Sequence, residues 1–231
     1  MYSFSSLTDT AGDVSCLFHS VNSNAFCVVI ETNDYDIRSA NRSIGIHELF
    51  ANACKSLAED VTIEDIPLSF AKFIDTSLKE SNKTPREGVS TEANFAAVSL
   101  AENSIFVCTA GICRVHLMQD EHVLNVSKDH NFVSDVLSDT DLKRQISLES
   151  DPVAFLVPTR TLGSELLENK PPETWTWKVK GSYAILISSN QYHKFRDPKE
   201  YAGRFVRNNL VDVARTEENN RGVLALIKKL S

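Results

Sequence analysis

The chain carries no lysine or arginine before Arg38. An amino-terminal stretch without a cation cannot hold a phosphate by charge and offers no polybasic surface to a nucleic acid or a membrane. The shortage is global as well: 24 Lys+Arg stand against 31 Asp+Glu, a net charge of −7. That balance argues against nucleic acid and membrane partners and favours solubility. Glycine is scarce, 8 in 231 residues, and neither common glycine-rich phosphate loop occurs. No Gly-x-Ser-x-Gly elbow is present, which excludes a serine hydrolase of that design. The five cysteines (Cys16, Cys27, Cys54, Cys108 and Cys113) form no Cys-x-x-Cys pair and no zinc-ligand spacing. Cys27 and Cys108 lie inside apolar runs and read as reduced core residues of a reducing compartment. Met1 to Thr10 is polar, without the basic start and apolar run of a secretory signal. No apolar run reaches the ~18 residues of a membrane-spanning helix, so a cytoplasmic, intracellular protein is expected. His19, His47, His116, His122 and His193 are scattered, with no third partner to suggest a triad.

What remains is an ordinary globular composition, 42% apolar and 24% charged. No repeat or low-complexity tract divides the chain, and a single domain spanning residues 1–231 is expected. Val14 to His19 and Ala25 to Glu31 read as strands around a polar turn at Asn22-Ser23-Asn24. The second is apolar without a break, as a strand covered on both faces should be. Ile46, Leu49, Phe50, Ala53, Cys54 and Leu57 recur at helical spacing. Ile66, Phe70, Phe73, Ile74 and Leu78 do the same, with Pro67 in the first turn, where proline is tolerated. Phe95 to Leu100, Ser104 to Thr109, Cys113 to Met118 and His122 to Val126 then read as a meander of antiparallel strands. Phe132 to Ser147 suggests a short helix, and Val153 to Val157 and Tyr183 to Ile187 suggest strands. A last helix is expected around Tyr201 to Val213, followed by a closing strand, Val223 to Ile227. Trp175 and Trp177 alternate, so on a strand they share one face, as core residues or as an interface anchor. Strands, helices, strands, a helix and a strand, without regular alternation, favour α+β.

Three blocks lie in the middle of the chain: Ala110-Gly111-Ile112-Cys113-Arg114, Ser127-Lys128-Asp129-His130, and Thr159-Arg160-Thr161-Leu162-Gly163. In this order and spacing they resemble the metal-dependent serine/threonine phosphatases of type 2C, in their compact bacterial form. That family writes these places as Gly-Asp-Ser-Arg, Asp-His and Thr-Arg-Ala-Leu-Gly. The resemblance implies a four-layer α-β-β-α sandwich, two antiparallel sheets flanked by helix pairs. It implies framework roles for Gly111, Arg114, Asp129, His130, Thr159, Arg160 and Gly163.

It also implies where a pair of Mg²⁺ or Mn²⁺ ions would sit, and the chain departs from the pattern at those places. The Asp of the first block is Ile112. An Asp-Gly after the second strand is replaced by Glu31 without its glycine turn. Two later Asp positions read Asn190 and Asn219. Hard cations need several charged oxygen donors, and an asparagine keeps the shape while losing the charge. No metal ligand set and no catalytic residue is therefore expected. Asp34 and Asp36 are weak metal candidates beside Glu31, and also read as a solvated turn. Glu217 and Glu218 read as a polar loop. The expected function is a pseudophosphatase without cofactor, acting as a regulatory or scaffolding subunit. Its partner would be another protein: a kinase, a phosphoprotein or a multi-subunit complex. The alternative is an active Mg/Mn-dependent phosphatase with rearranged ligands.

Overall fold

The computed structural model describes residues 2–8, 14–21, 24–33, 52–53, 61–83, 91–119, 122–135, 157–164, 171–190 and 223–229. Among the described residues, ten strands form two antiparallel sheets. The first contains β1 (Tyr2–Thr8), β6 (Arg114–Gln119), β7 (His122–Val126), β9 (Tyr183–Ser188) and β10 (Val223–Lys229), in the order β1-β10-β9-β6-β7. The second contains β2 (Val14–Val21), β3 (Asn24–Asn33), β4 (Glu92–Leu100), β5 (Ser104–Ala110) and β8 (Glu173–Lys178), in the order β2-β3-β4-β5-β8. Helix α1 (Ile66–Asn82) lies on the outer face of the second sheet, and α2 (Phe132–Asp135) is a single turn. This is the α+β sandwich expected from the sequence.

The unbroken apolar run of β3 is explained by two cores. Ala25, Cys27 and Val29 point between the sheets, where they meet Val98, Val107, Val115, Ile185 and Ile227. Phe26, Val28 and Ile30 point the other way, under Phe70, Ala71, Ile74 and Leu78 of α1. A strand with alternating side chains and a layer on each face must be apolar throughout. Pro67 sits in the first turn of α1, where its missing N–H costs nothing.

The structure adds one element to this reading and corrects another. Residues 2–8, whose serines obscure the alternation, form edge strand β1 against β10. The expected meander is two separate hairpins: β4 pairs β5 in one sheet, and β6 pairs β7 in the other. The chain switches sheets at Gly111, whose φ of +76° suits only glycine. Trp177 and Trp175 face the inter-sheet core, the first of the two roles open to them in the sequence. Of the expected helix near residues 46–57 only Asn52 and Ala53 are described, and those are helical. The expected helix at Tyr201 to Val213 and nearly all of the strand at Val153 to Val157 lie outside the described residues.

Candidate functional site

The sheet switch brings three of the sequence-marked positions to one junction. Glu31, near the end of β3, is buried at 3% exposure, directly across from the buried Asn94 of β4. The Glu31 Oε2 accepts the backbone N–H of Asn190, just past β9, at 2.9 Å. It also receives the Asn94 amide at 3.5 Å, a weaker contact. The Asn94 Oδ1 in turn accepts the backbone N–H of Ile112 at 3.1 Å. A Cβ on Gly111 would overlap that same oxygen, so the glycine lets the crossover lie against Asn94. Glu31 and Asn190 are thus joined directly, and Ile112 through Asn94, a residue the sequence reading missed. Asn94 carried one signal: a lone amide inside the apolar run Ala-Asn-Phe-Ala-Ala-Val.

Cys113 follows Ile112 at the same junction. It is fully buried, and burial followed by the nearby Glu31 charge pushes its thiol well above the ordinary range, against a smaller opposing effect of the Asn190 N–H. A thiol held protonated is a poor nucleophile.

The framework residues form a second tier. Arg114 donates to both oxygens of Asp129, at 2.7 Å from Nε and 2.5 Å from the terminal nitrogen. This bidentate pair fixes the start of β6 against the loop after β7. The His130 N–H donates to the Gly111 carbonyl at 2.8 Å, and its own carbonyl accepts from the Thr159 N–H at 2.9 Å. The His130 Nε2 lies 2.7 Å from Glu173 Oε2, and the ring stacks on Trp175 with centroids 6.4 Å apart. Burial lowers the His130 pKa despite the Glu173 contact, so the ring is neutral near pH 7. Arg160 reaches the same Glu173 carboxylate only at 3.7 Å. Thr159 donates to Asp135, whose other oxygen holds Lys128.

The third block closes the tier. Leu162 exchanges both backbone hydrogen bonds with Ala93, continuing the sheet where β5 has ended. The Gly163 N–H donates to Asp75 of α1 at 2.8 Å, and a Cβ there would lie 2.6 Å from that of Leu78.

Asn219, Asp34, Asp36, Glu217 and Glu218 lie outside the described residues. Among the described residues no three His, Cys, Asp or Glu side chains converge as a metal site. At the junction Ile112 offers hydrocarbon, and Asn190 presents a backbone donor where a cation needs an acceptor. The groups described there do not fit a pair of hard divalent ions.

This architecture is that of the PPM-type serine/threonine phosphatases. Among solved structures, the S. agalactiae serine/threonine phosphatase superposes with a TM-score of 0.76 at 12% identity, over 100% of both chains. The catalytic domain of PstP in complex with two manganese ions gives 0.67 at 13%, over 100% of this chain and 98% of that one. PppA of Pseudomonas aeruginosa, described as a key regulatory component of T6SS, gives 0.67 at 16%, over 99% and 97%. At these identities the likeness concerns the fold. No protein-family model matches the chain, and no curated protein matches it significantly.

Proposed function

We propose that the chain is a pseudophosphatase: one domain over residues 1–231 that keeps the phosphatase scaffold, hydrolyses no phosphate and acts by binding another protein. One observation carries this reading. The carboxylate that would serve a cation, Glu31, is turned onto the backbone N–H of Asn190. Its neighbours at the junction are an isoleucine and an asparagine. Two-metal hydrolysis needs ions bridged to an activated water and to the phosphate, and losing their anionic ligands removes both. A regulatory or scaffolding role in the cytoplasm, with a kinase, a phosphoprotein or a multi-subunit complex as partner, is the function left to such a scaffold. The description of PppA as a regulatory component is in keeping with it.

The test is phosphate release from an aryl phosphate and a phosphoserine peptide with 1 mM Mn²⁺, with and without chelator, beside Mn²⁺ calorimetry. No chelator-sensitive turnover and no heat of binding are expected. Turnover that chelator abolishes, and that Glu31→Gln also abolishes, would instead establish an active enzyme with rearranged ligands.

A further inference from the structure

We infer that Glu31 and Asn94 form a staple that closes the junction between the two sheets from within, without a cation. Glu31 belongs to the second sheet and Asn190 follows β9 of the first, so the 2.9 Å bond joins the sheets. Asn94 belongs to the second sheet, and Ile112 lies in the crossover to the first, so the 3.1 Å bond secures the connection. The weaker Asn94–Glu31 contact, 3.5 Å between paired strands, lies between the two bonds. Glu31, Asn94 and Ile112 are buried and Asn190 is half-buried, so the Ile112 N–H would lose its partner away from water while the Asn190 N–H would open to it. A buried carboxylate is retained where backbone and amide donors satisfy it, and its charge strengthens each bond it accepts.

The arrangement makes two demands on the sequence that the fold alone does not. Position 94 must offer an acceptor and a donor at once, which an amide does and an aliphatic residue cannot. Position 111 must lack a Cβ, because that atom would occupy the space of the Asn94 oxygen. Both are met, and neither concerns catalysis. The staple deepens the reading of a scaffold that keeps its shape without metal, and its test is separable from the test of that reading.

Amide hydrogen exchange on the full chain supplies the test, with two substitutions of matched size. Glu31→Gln keeps an acceptor at this position, and the Asn190 amide should retain its protection to within about threefold. Glu31→Met removes the acceptor, and Asn190 should exchange at least tenfold faster while the centre of β3 is unchanged. Should Glu31→Met fail to fold, Asn94→Leu divides the staple: the Ile112 amide should lose at least tenfold in protection, and Asn190 should change little. Unchanged Asn190 exchange in folded Glu31→Met, or unchanged Ile112 exchange in Asn94→Leu, overturns the staple. Thermal unfolding of the wild type with 1 mM Mn²⁺ against chelator tests the metal-free reading by itself. Equal midpoints are expected, and a rise with Mn²⁺ counts against that reading while the exchange data still decide the staple.

Discussion

Among the described residues, His116 is one whose titration the fold moves far. It is fully buried on β6, and burial, helped by the charge of Arg114, lowers its pKa from 6.5 to about 3 against a smaller opposing bond to the Leu186 backbone. The unfolded chain therefore takes up a proton that the folded chain refuses. The stability this imidazole contributes is complete above pH 6.5 and is lost as pH falls toward 3, by on the order of 1 kcal/mol per pH unit. His130, shifted in the same direction, adds to the slope. Denaturant unfolding of His116→Met at several pH values should show a flatter acid limb than the wild type. The glycines supply a second contrast at this scale. Gly111 and Gly181 have nearly the same backbone, φ +76° and +74°, but a Cβ at 111 overlaps Asn94, whereas one at 181 meets only the Gln119 amide at 3.9 Å. Gly181→Ala should cost the backbone strain alone, about 1–2 kcal/mol. Gly111→Ala should cost clearly more, read from the same unfolding midpoints.

At the scale of elements, α1 is held by a face and by an end. Phe70 is fully buried and packs near Phe26 of β3 and Phe95 of β4, at ring distances of 5.4 and 6.5 Å. Truncating it to alanine should destabilise the protein by about 3–5 kcal/mol, the usual cost of emptying a phenylalanine site. The end is fastened by Asn82, which accepts the Thr91 N–H at 2.8 Å and donates to the carbonyls of Thr91 and Gly163 at 3.0 Å. The helix was legible in the sequence because Phe70, Ile74 and Leu78 recur at its period. Its fastening was only half legible: the family resemblance marked Gly163, but Asn82 looks like an ordinary loop residue until the chain folds. The two hairpins show the same boundary. Their strands and turns are local and could be read, but a hairpin looks alike in either sheet. Only Gly111 separates the two cases, and a lone glycine does not announce a crossover.

For the molecule as a whole, the sharpest expectation concerns restoration. Asn190→Asp combined with Asn219→Asp returns two carboxylates to the positions where the family resemblance places them. It leaves Ile112 in place and Glu31 turned inward. The double variant should bind Mn²⁺ weakly in calorimetry and release no phosphate above the wild-type level. Strong turnover in that variant would show that the two asparagines alone separate this chain from an enzyme.

What the sequence determined by itself is most of the described elements and the faces they bury. Alternation at two residues and recurrence at 3.6 are local properties, and burying apolar area rewards them wherever the chain goes. It also marked Glu31, Ile112 and Asn190 as one site, through the order of motifs rather than any contact. What only the tertiary structure decided is what those residues do together. Glu31 meets Asn94 across 63 positions and Asn190 across 159, and such meetings are set by strand register and by the packing of one sheet on the other. A hydrogen bond requires donor and acceptor within ~3 Å, and no local pattern in the chain encodes that distance.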